Sequence, residues 1–139
     1  MLIRIVLMIR EKRLEKALRE YFVQPDVRIE SLGGTKDPFQ KALKTSGDIF
    51  IASSTMIPAP MDSSLALIND LPETPTTVIL HESESPEDQA NLIAMGADVV
   101  LYRGLDESTL IEAVETTIDS RRNLVGRPLT AGRPIPWMR

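Results

Sequence analysis

Apolar and polar positions along the chain switch repeatedly between two periods. "LIRIVLMI" (2–9) is a β-branched apolar run and predicts a strand. "EKRLEKALREYF" (11–22) then places Leu14, Ala17, Leu18, Tyr21 and Phe22 on one helical face. "VRIES" (27–31) alternates and stops before Gly33-Gly34, and "DPFQKALKTS" (37–46) opens with Asp37 as N-cap and Pro38 in the first turn. "DIFIAS" (48–53) has the composition of a buried strand, and "MDSSLALINDL" (61–71) is a short helix with Leu65, Leu67, Ile68 and Leu71. "PTTVILH" (75–81) is a further strand. "SPEDQANLIAMG" (85–96) offers Ser85 as N-cap, Asp88 for a capping box and Gly96 as a stop. "DVVLY" (98–102) is the last strand, and "DESTLIEAVETTIDSRR" (106–122) the longest helix, with Leu110, Ile111, Val114 and Ile118 inward.

Strands that alternate with helices require a parallel sheet, because each right-handed crossover carries a helix onto one face of it. The expected fold is therefore α/β and doubly wound, over residues 1–122. From 123 the character changes: "NLVGRPLTAGRPIPWMR" has three prolines, two glycines and no clear periodicity. Residues 123–139 are expected to be a linker or tail.

Composition narrows the chemistry. The 139 residues are 42% hydrophobic and 26% charged, which suits one globular domain with its own core. The net charge of −4 argues against non-specific nucleic-acid binding. With no cysteine and one histidine, His81, disulfides, thiolate chemistry and His-based metal clusters are excluded. The apolar start contains Arg4 and is too short to span a bilayer, so no membrane association and a cytoplasmic location are expected.

"AMGADVVLY" (94–102) and "MIPAPMD" (56–62), in this order of elements, resemble the receiver domains of bacterial response regulators. The resemblance covers roughly residues 1–122 and implies a flavodoxin-like (CheY-like) five-stranded sheet in the order 2-1-3-4-5. It also implies a site at the carboxyl ends of the strands: an acidic pair after strand 1 for Mg²⁺ and an aspartate ending strand 3 that accepts a phosphoryl group. A Thr/Ser after strand 4 and a Lys after strand 5 then read the phosphoryl oxygens.

Carried onto this chain, the acidic pair falls on Ile9 and Arg10, the phosphoacceptor on Ser53, the strand-4 hydroxyl on His81 and the lysine on Arg103. Gly104 stands where a proline follows the lysine. The aromatic switch position falls on Val100, with Tyr102 shifted and expected on the other face. Glu11 adds one exposed carboxylate, a poor magnesium site alone, and Asp48 lies at the wrong end of its strand. Every central position of the constellation is thus replaced, which implies a pseudo-receiver without cofactor, metal or catalysis.

The same residues have plainer and sharper readings. Ser53, Ser54 and Thr55 either satisfy backbone groups at a strand end or bind an anion beside Arg10 and Arg103, or accept a phosphate from a kinase. His81 is either a strand-end residue or a general base, with a Ser53–His81 pair conceivable across neighbouring strands. Arg103 and Arg10 are expected to pair with Glu82 or Glu84, replacing a metal-centred network by salt bridges. A homodimer through the fourth and fifth helices is expected, on a face offering Asp88, Gln89, Glu107, Glu112, Glu115 and Asp119 beside Arg121 and Arg122.

"AGRPIPWMR" (131–139) faintly resembles the stretch that opens the AAA+ domain of sigma-54-dependent transcriptional activators, which implies a covalently linked output domain. The expected function is phosphorylation-independent signalling by protein–protein contact, in a transcriptional regulator or as a stand-alone adaptor. The alternative is a small flavodoxin-like enzyme or anion-binding domain using Ser53–Thr55, His81 and Arg103. No glycine-rich phosphate loop supports nucleotide binding where "IREKR" follows strand 1.

Overall fold

The computed structural model describes residues 2–125; the tail resemblance at 131–139 lies outside them. Five strands alternate with five helices: β1 (Ile3–Met8), α1 (Lys12–Tyr21), β2 (Val27–Ser31), α2 (Pro38–Leu43), β3 (Ile49–Ser53), α3 (Met61–Asn69), β4 (Thr76–His81), α4 (Pro86–Ala94), β5 (Val99–Tyr102) and α5 (Glu107–Val125). All pairings are parallel, in the order β2-β1-β3-β4-β5. A single 3₁₀ turn, Ser54–Met56, follows β3 directly.

The strand alternation divides the core in two. Ile3, Ile5, Leu7, Ile49, Ile51, Val78 and Leu80 face α1 and α5, where Leu14, Leu18, Leu110, Val114 and Ile118 cover them. Val6, Met8, Phe50, Ala52 and Ile79 face the other way, against Phe39, Leu65, Ile68 and Leu92 from α2, α3 and α4. Burial on both faces explains why β1, β3 and β4 read as continuous apolar runs.

Several local expectations are corrected. Tyr21 is 52% exposed, and its hydroxyl donates to Glu115 Oε2 at 2.8 Å. Phe22, one residue on, takes the buried place in the α1 core. Leu67 is exposed on the outer face of α3. Ser85 occupies the N-cap of α4 without a side-chain capping bond, and its own N–H, which Asp88 would accept in a capping box, donates instead to Ser83 Oγ at 3.1 Å. Asp37 sits at the N-cap of α2 with φ of 53°, a left-handed backbone, and its side chain does not turn back onto the helix. Gly96 does stop α4: its φ is +125°, and a Cβ there would lie 2.7 Å from Asn69 Nδ2.

Tyr102 is also corrected. Val99 and Leu101 join the α1/α5 side while Val100 packs against the opposite core, so Tyr102, two residues beyond Val100, shares its face. Its ring closes over Gly104, where a Cβ would meet ring atoms.

Candidate functional site

In a doubly wound sheet the carboxyl ends of the strands gather at one rim, and there the loops after β1, β3, β4 and β5 meet. Ile9 follows β1 and is buried at 3% exposure in the α1/α5 core. Arg10 comes next, with its side chain exposed and its backbone N–H donating to Ser53 Oγ at 3.1 Å. Ser53, itself 3% exposed at the end of β3, donates its proton to Glu11 Oε2 at 2.8 Å. The hydroxyl thus accepts one bond and donates another, and the charge-assisted bond to Glu11 contributes about 1.5–3 kcal/mol.

Arg103, just past β5, extends this chain of contacts. Its Nη1 donates to Glu82 Oε1 at 3.0 Å and lies 3.7 Å from Glu11 Oε1. The two carboxylates come from the loops after β1 and β4, so one guanidinium links three loops, and Ser53 adds the fourth. Glu84 takes no part, and Arg10 makes no ion pair among the described residues. The exposed turn carries the Arg10 side chain outward while its backbone engages the site.

Ser54 occupies the 3₁₀ turn and is buried, with its Oγ 3.0 Å from His81 Nδ1. The serine beside His81 is therefore Ser54; Ser53 turns the other way, as adjacent positions at a strand end do. Thr55 is exposed. Val100 is half-buried against the α2–α4 core. His81 is held in register beside Tyr102, and its carbonyl accepts the Arg103 N–H at 2.9 Å.

Glu11 is the residue whose role the sequence understated. It is a hub with a side chain 23% exposed, and the signal was its place one residue after Arg10, within reach of the β3 end. A hard divalent cation requires several free oxygen ligands. Here Glu11 and Glu82 already serve Arg103 and Ser53, and Ile9 and Arg10 contribute an apolar side chain and a cation. The donor set does not fit Mg²⁺. Among the described residues no group of three or more His, Asp or Glu side chains is placed to hold a metal ion.

The opposite end of the sheet carries a second polar cluster. Asp48 accepts the Arg4 N–H at 2.8 Å and lies 3.7 Å from Arg121. Arg121 is buried, donating to the carbonyls of Thr74 and Glu73 at 2.9 and 2.7 Å, and Arg122 pairs with Asp26 at 2.8 Å. Neither arginine is free for the expected interface on α4 and α5. Glu107 and Glu115 likewise face α1, through Arg13 and Tyr21. What α4, β5 and α5 do present is a cleft of about 520 Å³ floored by Val99–Leu101, with Ile93 half-exposed on one wall and Glu112 and Thr116 on the other.

No helix among the described residues is long and apolar enough to cross a membrane. No protein-family model matches the sequence, and no curated protein matches it. Solved structures do match. A CheY-like response regulator receiver domain protein from Methanospirillum hungatei superposes with a TM-score of 0.67 at 12% identity, covering 88% of this chain and 98% of its own. The receiver domain of the Francisella response regulator 1452 gives 0.65 at 15% identity, covering 84% and 97%. A putative pilus assembly protein (cpaE) from Burkholderia thailandensis gives 0.63 at 16%, covering 85% and 99%. The strand order and these superpositions together establish that the chain has the CheY-like flavodoxin fold of response regulator receiver domains.

Proposed function

We propose that this chain is a pseudo-receiver: a non-enzymatic, cofactor-free signalling domain that works by protein contact and needs no aspartyl phosphate. The observation that carries the reading is Ser53, at the end of β3, buried and engaged by Glu11 and Arg10. A serine there forms no acyl phosphate, and the Glu11 and Glu82 carboxylates near it are engaged by Arg103. In place of a metal-centred switch, the rim is joined by the Ser53–Glu11 hydrogen bond and by the contacts of Arg103 with Glu82 and Glu11.

Contact is assigned to the α4–β5–α5 face, with a second copy of the chain as partner. Its support is the cleft over β5 and the exposed Ile93 and Met95 of the α4 end. The domain is read as residues 1–122 regulating a transcriptional regulator in the cytoplasm. The segment from 123 leads to an output domain, of the sigma-54 activator type if the stretch at 131–139 is followed by a phosphate-binding loop in the gene.

The test is incubation with Mg²⁺ and acetyl phosphate, and separately with beryllofluoride. The expected result is no gain of a phosphoryl group by mass and no change in oligomeric state; a specific response to either reagent sinks the proposal. Light scattering on the parent and on Ile93→Asp tests the dimer, which the substitution is expected to dissociate.

A second reading, a small hydrolase, draws on the 3.0 Å contact of His81 with Ser54. Among the described residues no carboxylate bonds the other ring nitrogen, and the Ser54 hydroxyl is buried, so the pair lacks both an orienting acid and an open path to substrate.

A further inference from the structure

Strand β2 is an open edge of the sheet, paired only with β1. Ile3 N donates to the Asp26 carbonyl and Leu32 N donates to the Leu7 carbonyl, each at 2.7 Å. Even-numbered backbone groups of this segment therefore point at β1, and the alternation turns the N–H and C=O of Ile29 and Ser31 outward. Such groups are a template for an added strand.

The two sides of this edge differ in kind. Toward α1 lies a cleft of about 480 Å³ lined by Phe22, Val23, Pro25, Val27 and Ile29 together with Arg19 and Gln24, with Val23 79% exposed. The adjoining cleft, of about 560 Å³, gathers Arg4, Arg19 and Arg28 with Glu30, Thr45 and Ser46. Arg19 and Ile29 line both, so the clefts flank one continuous edge.

Arg4 and Arg28 are direct register partners on neighbouring strands, a like-charge pairing that disfavours the sheet unless an anion offsets it. Arg4 has Asp48 at 3.7 Å, whereas Arg28 and Arg19 make no ion pair among the described residues; Arg19 donates only to Ser31 Oγ, at 2.7 Å. This basic edge belongs to a chain whose net charge is −4, so it is a local feature. A second copy paired edge to edge would set one Arg28 near another, which charge opposes.

We infer that the β2 edge docks an extended acidic segment of another protein as an added strand, with carboxylates directed at Arg28 and Arg4 and apolar side chains at the Phe22–Val27 cleft. Side chains of a strand point alternately to its two faces, so one peptide of alternating acidic and apolar residues meets both clefts at once. The inference uses no group of the rim site and stands whether or not the pseudo-receiver reading holds.

The experiment is an amide-shift titration of the ¹⁵N-labelled full chain with a short peptide of alternating valine and glutamate. Controls are its valine–lysine counterpart and a proline-interrupted version of equal charge. Saturable shifts centred on Val23 and residues 27–31 are expected from the first peptide alone. Arg28→Glu, on an exposed side chain, is expected to weaken binding about tenfold or more with the spectrum still folded, and Arg28→Gln to weaken it less. The inference is overturned by no saturable shift, by shifts elsewhere, by either control binding equally well, or by Arg28→Glu binding like the parent.

Discussion

The Ser53 hydroxyl donates to Glu11 Oε2 at 2.8 Å, tying the end of β3 to the residue that precedes α1. Because the same oxygen accepts the Arg10 N–H, its removal deprives two groups at once. Ser53→Ala is expected to lower stability by about 1–3 kcal/mol, the cost of leaving a partly buried donor and a carboxylate unmatched. Urea unfolding measures it, and a loss below a few tenths of a kcal/mol would show that water replaces the hydroxyl.

Arg103 and Glu82 are close but half-exposed, at 49% and 57% of their side chains. An exposed pair of this kind couples by at most about 1 kcal/mol. A double-mutant cycle of Arg103→Ala and Glu82→Ala is expected to return a coupling in that range, reduced by salt. Faster amide exchange in the β4–α4 loop of either variant would show that the pair restrains the loop; exchange at the parental rate would show that it does not.

Much of this fold was legible because each strand is bounded by a turn signal and each helix has an apolar stripe; β2 was found with its observed ends. Errors fell where a single residue has two competing uses. Tyr21 continued the α1 stripe by spacing, yet its hydroxyl favours water and Glu115 while Phe22 fills the core. Ser85 has the right identity for a cap, yet its hydroxyl makes no capping bond, and Ser83 accepts the N–H that Asp88 would take in a capping box. The rim was legible as a set of residue types at strand ends. Which serine meets His81, and that Arg103 reaches Glu11 as well as Glu82 while Arg10 pairs with neither Glu82 nor Glu84, depend on side-chain direction at loops, where no periodicity operates.

Arg121 illustrates a position that spacing misreads as surface. It is 7% exposed and bonds two carbonyls before β4, with Asp48 at 3.7 Å and its own Nε without a hydrogen-bond partner among the described residues. Arg121→Ala is expected to cost about 1–3 kcal/mol, since it leaves the Thr74 and Glu73 carbonyls without their donors while Asp48 keeps Arg4. Lysine cannot reproduce the forked donors, so Arg121→Lys is expected to recover less than half of the loss. Parental stability in the lysine variant, read by urea unfolding, would show that charge alone suffices.

Two carboxylates set opposite pH responses. Burial lifts the Asp98 carboxyl above its usual 3.8, against the Thr77 N–H and Arg121, which act the other way. The hydrogen bond from Arg122 holds Asp26 below 3.8. For Asp98 the folded protein takes up its proton first, so this group makes stability rise as pH falls from the raised folded value toward 3.8. For Asp26 the unfolded chain takes up its proton first, so its stabilisation is present above 3.8 and is lost as pH falls from there through the depressed folded value. Stability measured against pH at fixed ionic strength is therefore expected to lose the upper feature in Asp98→Asn and the lower one in Asp26→Asn. Curves parallel to the parent's in both variants would show that neither carboxyl titrates differently on folding.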